Sequence, residues 1–318
     1  METCLVTGGA GFIGSHLCDY LINKNYKVIC LDNLLTGSKK NIEHLLNNPN
    51  FEFLEADVCN SNSINQLINK SVNYVFHLAS PASPVDYQNH SEETLLTNSV
   101  GTLNMLKLAK ETKAKILIAS TSEVYGDPKE HPQKETYWGN VNSFGPRSCY
   151  DESKRFGEAA TYVYINKYKV DARIVRIFNT YGPRMQKDDG RVVSNFINWA
   201  INGLSIKIDG DGSQTRSFCF VSDLVEGIQG AMFGQDTKGE IFNLGNPEEY
   251  TVKDLAQKII KLTNSKSEIV FSGSFRPDDP MQRCPDITKT KKLLGWEPKV
   301  SVDEGLQKTI EYYKGLTP

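Results

Sequence analysis

A glycine-rich segment near the start of the chain is the feature that most constrains its fold. Thr7-Gly-Gly-Ala-Gly-Phe-Ile-Gly-Ser follows a short apolar run and contains both Gly9-x-Gly11-x-x-Gly14 and Gly8-x-x-Gly11-x-x-Gly14. Glycines with this spacing permit a tight turn, let backbone N–H groups approach a pyrophosphate, and allow the following helix to pack on the strand. The segment therefore predicts a βα unit that binds a dinucleotide, with a plain βα turn as the less favoured interpretation.

Short apolar runs alternate with amphipathic stretches through the first half of the chain. Six runs are predicted strands, at residues 4–7, 28–32, 51–56, 74–78, 116–120 and 174–178. The clearest helices are predicted at 92–113 and 150–168, where apolar residues recur three or four positions apart. This alternation predicts an α/β fold built on a Rossmann-type, doubly wound parallel sheet.

After residue 179 the pattern changes to turn clusters and shorter helices, predicted at 192–202, 221–234, 252–262 and 302–313. We expect residues 1–178 to form the dinucleotide-binding domain. Residues 179–318 are expected to form a smaller α/β region that mainly binds substrate, with some segments returning to the first domain. No internal repeat or long linker separates the two parts, which indicates one unit with a cleft.

Composition narrows the class of protein. Hydrophobic residues make up 39% of the chain, charged residues 23%, and the net charge is −2, which is typical of a globular protein and gives no basic excess for nucleic acid. The seven cysteines are scattered without a CxxC pair or a Cys/His cluster, so we expect a reduced protein without a metal. The first predicted strand begins almost at Met1 and no apolar run is long enough for a membrane helix, so a cytoplasmic location is expected.

Two carboxylates follow predicted strands. Asp32 ends the second strand about 20 residues after the glycines, where a carboxylate accepts hydrogen bonds from an adenosine ribose and repels a 2′-phosphate. NAD is therefore favoured over NADP, although a helix cap or loop carboxylate is the alternative. Asp57, directly before Val58 at the end of the third strand, is placed either to face the adenine or to cap the next helix.

Tyr150 and Lys154 lie four residues apart at the start of a predicted helix and so share one face. A phenol becomes a useful base when a neighbouring ammonium lowers its pKa, and such a base is what hydride transfer from a carbinol requires. The fifth strand ends in Ser120-Thr-Ser-Glu, which places hydroxyls and a carboxylate at the ligand-binding edge of the sheet. An exposed helical pair and ordinary turn residues are the alternatives.

Several ordered segments resemble those of the extended short-chain dehydrogenase/reductases. In the first half these are Thr7-Gly-Gly-Ala-Gly-Phe-Ile-Gly, His77-Leu-Ala-Ser-Pro-Ala-Ser-Pro, Ser120-Thr-Ser-Glu-Val-Tyr-Gly and Tyr150-Asp-Glu-Ser-Lys. In the second half they are Arg176-Ile-Phe-Asn-Thr-Tyr-Gly-Pro-Arg, Asp189-Gly-Arg-Val-Val-Ser-Asn-Phe, Gly212-Ser-Gln-Thr-Arg, Asn243-Leu-Gly-Asn-Pro-Glu-Glu and Leu294-Gly-Trp-Glu-Pro. The resemblance covers essentially the whole chain, and within the family it is most specific toward the UDP-glucuronate decarboxylases.

This resemblance implies a redox cycle with retained NAD. Tyr150, helped by Thr121 and Lys154, removes the proton of the sugar C4 hydroxyl while NAD takes the C4 hydride, which converts the sugar to a β-keto acid. Carbon dioxide then leaves, C5 is protonated, and the returned hydride gives UDP-xylose. Ser122 and Glu123 are implied near the sugar, and Arg283 near its carboxylate, although an arginine in such a loop is more often simply solvated.

The same resemblance implies two sets of binding residues. Those for NAD are Gly8, Gly11, Phe12, Ile13, Gly14, Asp32, Asn33, Thr36, Gly37, Asp57, Val58, Leu78, Ala79, Ser80, Tyr150 and Lys154. Those for the UDP-sugar are Pro81, Ser83, Asn179, Arg191, Arg216 and Arg283. Arginine suits both phosphate and carboxylate because its planar group matches pairs of oxygens, with structural salt bridges as the alternative.

Three rival functions remain open. A nucleotide-sugar 4,6-dehydratase shares the cycle, but its family pattern has an aspartic acid where Ser122 stands, and a hydroxyl is a poor acid for expelling water. A C4 epimerase generally lacks a carboxylate at the position of Glu123 and, on this argument, does not need an arginine for a sugar carboxylate. A non-catalytic NAD-binding regulator on the same scaffold is the third possibility, because a fold does not establish function.

The predicted helices at 92–113 and 150–168 carry apolar residues on more than one face. That pattern suits a homodimer joined by a four-helix bundle, as in related enzymes. Burial within one subunit explains part of the pattern equally well.

Overall fold

A seven-stranded parallel sheet forms the centre of the protein. The computed structural model describes residues 1–274 and 279–316. Its strands are β1 (Thr3–Thr7), β2 (Lys27–Asp32), β3 (Phe51–Glu55), β4 (Tyr74–His77), β5 (Lys115–Thr121), β6 (Ala172–Ile177), β7 (Thr180–Tyr181), β8 (Ile206–Ile208), β9 (Thr215–Ser217), β10 (Cys219–Phe220), β11 (Ile241–Leu244), β12 (Glu249–Thr251), β13 (Ile269–Phe271) and β14 (Gln282–Arg283). The main sheet has the order β11-β6-β5-β4-β1-β2-β3, with all neighbours parallel, which confirms the predicted fold class.

Helices cover both faces of this sheet. They are α1 (Phe12–Asn23), α2 (Ser61–Ile68), α3 (Pro84–Asn89), α4 (Ser91–Leu96), α5 (Thr102–Thr112), α6 (Ser148–Tyr168), α7 (Val192–Ile201), α8 (Val221–Phe233), α9 (Val252–Thr263), α10 (Thr288–Leu294) and α11 (Val302–Gly315). Leu17 of α1 and Ile228 of α8 belong to the core on one face, whereas Leu67 of α2 and Leu106 of α5 belong to the core on the other. Because both faces are covered, β1, β2, β5 and β6 are apolar along nearly their whole length.

The order of the strands reverses at β1, which lies between β2 and β4. Ligands bind beside such a switch point because the connections on its two sides diverge and leave a crevice at the carboxyl ends of the strands. His77, the last residue of β4, ties this point together: its ring nitrogens bond to Thr7 Oγ1 at 2.8 Å and Thr102 Oγ1 at 3.1 Å. Burial, with a smaller contribution from Lys154, lowers the pKa of His77 to about 3, so the ring is neutral.

The helix predicted at 92–113 is not continuous. A π-helical turn, Thr97–Gly101, separates α4 from α5. Within that turn Asn98 is buried and its side chain donates a hydrogen bond to Ser153 Oγ of α6 at 3.0 Å. The periodic pattern on which the prediction rested does not reveal this contact, because its partner lies 55 residues away in the sequence.

The second half of the chain packs over the carboxyl ends of the main strands. Three short strands form a sheet in the order β12-β9-β14, and its register places Arg283 directly beside Arg216. The second half also returns to the main sheet, because β11 pairs with β6 at its edge. Among the described residues, none of the helices combines the length and the apolar character needed to cross a membrane.

Candidate active site

A cleft of about 750 Å³ lies between the main sheet and the second half of the chain. Every residue that the sequence analysis assigned to a site lines this cleft, except Asp57. The Asp57 carboxylate instead accepts hydrogen bonds from the Cys59 N–H at 2.7 Å and from the Asn33 side chain at 3.0 Å. These bonds correspond to the turn-stabilising alternative rather than to a contact with adenine.

The glycine turn forms one end of the cleft. Gly8 has φ +69°, and a Cβ at Gly14 would lie 2.1 Å from the Gly8 carbonyl oxygen, so helix α1 packs on the turn only because both side chains are absent. The helix begins after Gly11 without a side-chain cap, which leaves its first N–H groups available to a phosphate. The turn therefore fits the pyrophosphate of a dinucleotide.

Asp32 is fixed at the end of β2, beside this turn. Its Oδ2 accepts from the Ala10 N–H at 3.0 Å and its Oδ1 from the Leu34 N–H at 2.8 Å. Burial raises the pKa of this carboxyl, while the two backbone hydrogen bonds lower it. The oriented carboxylate has the geometry expected of a ribose acceptor.

Tyr150 and Lys154 lie together in the first turns of α6. Lys154 Nζ donates to the Ala119 carbonyl at 3.0 Å and lies 5.7 Å from the centroid of the Tyr150 ring. Burial raises the pKa of Tyr150, although a hydrogen bond with Thr121 opposes the rise. Burial also lowers the pKa of Lys154 to about 7, so the expected lowering of the phenol pKa by a neighbouring ammonium is absent in this state.

Tyr87 stacks on Tyr150, with ring centroids 4.9 Å apart and an interplanar angle of 8°. It belongs to α3, whose N-terminus is capped by Ser83: the Ser83 hydroxyl accepts from the Asp86 N–H at 3.1 Å. The Tyr87 hydroxyl is buried and has no hydrogen-bond partner among the described residues. The stack therefore fixes the plane of the candidate base and brings a second phenol to the site.

The other end of the cleft contains Glu123, held between two arginines. Arg147 Nη2 donates to Glu123 Oε2 at 2.5 Å, and Arg283 Nη1 donates to Oε1. Burial raises the pKa of Glu123, but the guanidinium groups of Arg283 and Arg147 outweigh that effect and lower it to about 2. Glu123 is thus an anion in this state.

Asp279 extends the Glu123 pair into an ion-pair chain made of Arg283, Glu123, Arg147, Asp279 and Arg216. Its carboxylate accepts from Arg147 Nη1 at 3.3 Å and from Arg216 Nη2 at 2.9 Å. An incoming carboxylate or diphosphate must therefore compete with Glu123 and Asp279 for the arginines. Arg283 retains two buried N–H groups, Nε and Nη2, without a partner among the described residues, so it can bind a further anion without leaving Glu123.

Arg191 and Asn179 line the middle of the cleft. Arg191 Nε donates to Asp189 Oδ2 at 2.7 Å, and Ser194 Oγ donates to Asp189 Oδ1 at 2.6 Å. The backbone of Asn179 is fixed because its carbonyl accepts from the Cys219 N–H at 2.9 Å. Arg191 thus combines the salt bridge and the cleft position that the sequence analysis treated as alternatives.

The sequence analysis missed Tyr87, Arg147 and Asp279. Arg147 carried a usable signal, since it lies three residues before Tyr150 and so faces the same region from the start of α6. Tyr87 and Asp279 carried none, because their partners are supplied by distant parts of the chain.

A possible metal-binding group lies outside this cleft. Ligand atoms of His131, Glu249 and Cys284 lie within 4.8 Å of one another, and His131 Nε2 bonds to Glu249 Oε2 at 2.8 Å. The sequence analysis expected no Cys/His cluster, and the scattered positions of these residues gave no spacing to recognise.

Comparison with known families and proteins agrees with this geometry. Residues 5–309 match the family model described as GDP-mannose 4,6 dehydratase. The chain is 51% identical over 309 residues to UDP-glucuronic acid decarboxylase 1 of Danio rerio, covering 97% of this chain and 72% of that protein. It is 52% identical over 310 residues to UDP-glucuronic acid decarboxylase 4 of Arabidopsis thaliana, covering 98% of this chain and 68% of that protein.

Solved structures share the fold at lower identity. UDP-glucose 4-epimerase of Thermotoga maritima, solved with UDP-glucose, superimposes with a TM-score of 0.92 at 32% identity and covers both chains completely. UDP-glucuronic acid 4-epimerase of Bacillus cereus, solved with UDP-glucuronic acid and NAD, has a TM-score of 0.90 at 30% identity and covers 99% of this chain and 100% of that one.

Proposed function

Since the chain belongs to the extended short-chain dehydrogenase/reductase family, among the UDP-glucuronic acid decarboxylases, we infer that it converts UDP-glucuronate to UDP-xylose and CO₂. It is a carboxy-lyase that uses NAD and regenerates it. The observation that carries this conclusion is the identity of 51% over 97% of the chain to an enzyme of that name, against 30% to an epimerase of the same fold.

One earlier argument against an epimerase does not hold. Its premise was that a C4 epimerase needs no arginine for a sugar carboxylate, yet the Bacillus cereus neighbour is a 4-epimerase solved with UDP-glucuronic acid. Arg283 therefore supports an acidic sugar as substrate but does not by itself separate decarboxylation from epimerisation. Ser122 still argues against dehydration, because a hydroxyl is a poor acid for expelling water.

We propose the following roles for the residues at the reacting end of the cleft. Tyr150 accepts the proton of the C4 hydroxyl, with Thr121 hydrogen-bonded to the phenol and Lys154 supplying positive charge beneath it. Arg283 holds the C6 carboxylate through the N–H groups that Glu123 does not use. NAD, when bound, supplies the hydride acceptor for C4. Once C4 is a ketone, the electrons of the C5–C6 bond can delocalise into it, so CO₂ leaves without a metal ion being needed.

The cofactor end has roles of the same standing. Gly8, Gly11 and Gly14 admit the pyrophosphate to the N-terminus of α1. Asp32 accepts hydrogen bonds from the adenosine ribose. Arg191 and Arg216 bind the diphosphate of the UDP-sugar, which suits their planar groups.

A homodimer joined through α4, α5 and α6 is part of the proposal. Large apolar side chains are exposed on these helices and on the π-helical turn between α4 and α5, among them Leu95 at 45%, Phe156 at 43% and Val163 at 49% exposure. Their burial in a bundle of two helices from each subunit would remove this surface from water. Light scattering of the purified protein distinguishes a dimer from a monomer.

A cytoplasmic location is proposed on the state of the cysteines. All seven are free thiols, and Cys4, Cys18 and Cys30 are buried in the core. Free thiols persist in a reducing compartment.

The test is incubation of the purified protein with UDP-glucuronate and no added NAD, followed by mass spectrometry and proton NMR. Loss of CO₂ with formation of UDP-xylose is expected, because NAD remains bound and is recycled. The Tyr150→Phe variant should keep its NAD and lose about 10³-fold in kcat, since the base is gone. Formation of the C4 epimer with the carboxylate intact would make the enzyme an epimerase, and loss of water from UDP-glucose would make it a dehydratase.

A further inference from the structure

The inference begins from the proton balance of the proposed reaction, on which it rests. UDP-glucuronate in its carboxylate form plus one proton gives UDP-xylose and CO₂. The C5–C6 bond breaks, its electron pair forms an enolate across C5 and C4, and a new C5–H bond then forms. Tyr150 cannot supply this proton, because the proton that it takes from O4 returns to O4 when the ketone is reduced. Each turnover therefore needs a second acid that draws on solvent.

Glu123 is unsuited to this task in the present state. Two guanidinium groups hold it as an anion, with a pKa of about 2. Lys154 is also poorly placed, because its Nζ donates to the Ala119 carbonyl at the end of β5. Neither group is a protonated donor turned toward the sugar.

A second cavity, of about 260 Å³, lies behind the ion-pair chain. It is lined by Gly126, Asp127, Asn140, Val141, Asn142, Arg147 and Asp151. Asp127, Asn140 and Asn142 at its rim are exposed to solvent. Arg147 lines both this cavity and the main cleft, so its side chain forms part of the wall between them.

Buried polar atoms without partners surround this wall. Asp151 Oδ1 and Arg147 Nε, an acceptor and a donor that both belong to the small cavity, have no hydrogen-bond partner among the described residues. Asp151 and Arg147 are only 6% and 9% exposed. A water molecule between them would satisfy both atoms, which leaving them dry would not. On the cleft side, the Tyr87 hydroxyl is the third such atom.

We propose that Tyr87 and Asp151 deliver the C5 proton. The Tyr87 hydroxyl, which enters the site through its stack on Tyr150, gives its proton to C5 on the face of the enolate that CO₂ has left. Asp151 in its acid form reprotonates Tyr87 and becomes a carboxylate. Asp151 then takes a proton from water in the small cavity, so the proton reaches the sugar without crossing the cleft while the intermediate is present.

The electrostatic surroundings suit Asp151 for this role. Burial raises its pKa to about 7, the negative charge of Glu123 adds to the rise, and Arg147 and Arg283 oppose it. The other titratable groups that act on this region are Glu152, Tyr87, Tyr150 and Cys149, with Asp127 at the rim of the cavity. An acid whose pKa lies near the working pH can both donate a proton and be recharged.

The test compares Asp151→Asn and Tyr87→Phe with Glu152→Gln, a control on the adjacent residue of α6, whose side chain is 39% exposed. Each variant is assayed with UDP-glucuronate in D₂O, and NMR locates the deuterium at C5 of the product. The wild-type enzyme should place deuterium in one of the two C5 positions. The first two variants should lose about 10²-fold in kcat and distribute deuterium over both positions, because bulk water then protonates C5 from either face.

The pH profile gives a second measure. The wild-type kcat should fall as pH rises through about 7, since the acid form of Asp151 is required, and Asp151→Asn should lose that fall while retaining bound NAD. A lowered kcat with deuterium still in one position and an unchanged pH profile would overturn the proposal and leave Asp151 a structural role. If the wild-type enzyme itself formed no UDP-xylose, the proposed function would fail instead.

Discussion

The two ends of the cleft are built in different ways. At the cofactor end, the turn at Gly8 to Gly14 works through the absence of side chains, and its contacts join residues close together in the sequence. At the sugar end, Glu123 is held by Arg147 and Arg283, and Arg283 lies 160 residues away in the sequence. The cofactor end thus recognises its ligand with backbone groups, whereas the sugar end does so with buried charges that are already paired.

This difference predicts how each end fails. A backbone site is lost when a single carbon atom enters it, because nothing nearby can move. A site made of paired charges loses affinity more gradually, because the remaining members of the chain keep one another satisfied. The three predictions below test this contrast, beginning with the largest effect.

Gly14→Ala should abolish retention of NAD. The new Cβ would lie 2.1 Å from the Gly8 carbonyl oxygen and 2.8 Å from Gly9 Cα, both backbone atoms, so the turn must open. NAD released on denaturing the purified protein measures the effect, and activity should fall with it. Gly230→Ala is the matched control, since its Cβ would meet only Leu294 side-chain atoms at 3.7 and 3.8 Å. If Gly14→Ala retained a full complement of NAD, the steric account of this end would be wrong.

Arg283→Gln should lower kcat/KM for UDP-glucuronate by about 10²-fold, the worth of a charge-assisted hydrogen bond to the sugar carboxylate. Retained NAD should be unchanged, because the substitution lies at the other end of the cleft. Glu123 keeps its bond to Arg147, so the folded state should persist. Steady-state kinetics beside Arg155→Gln, a half-exposed arginine on α6, gives the comparison. An unchanged kcat/KM would remove Arg283 from carboxylate binding.

Ser83→Ala should have the smallest effect, and on stability rather than on binding. Its hydroxyl caps α3, and loss of such a cap costs about 1 kcal/mol, a few degrees in the melting temperature by calorimetry. The KM for UDP-glucuronate should stay within about twofold, since a few tenths of a kcal/mol is all that such a change represents. A large rise in KM with an unchanged melting temperature would assign Ser83 to the substrate after all.

The sequence predicted the features that depend on local patterns. Strand periodicity gave the parallel sheet, and the glycine spacing and the Tyr150/Lys154 pair gave residues that line one cleft. It could not predict which residues pair across the cleft: Arg147 with Glu123, and Asp279 with Arg216, are joined only when distant segments pack. It also misjudged the charge state of the base, since burial, which raises the pKa of Tyr150, depends on the complete fold.

Helix α6 can also be considered as a lever. It carries Tyr150, Asp151 and Lys154 at one end, while Val163, 49% exposed, lies thirteen residues beyond Tyr150, a separation of about 20 Å along the helix axis at 1.5 Å per residue. A tilt of about 3° about that distant point would move the phenol by about 1 Å, a displacement that can reduce a reaction rate by about 10²-fold. The outer face of α6 is therefore under mechanical constraint from chemistry that it never touches.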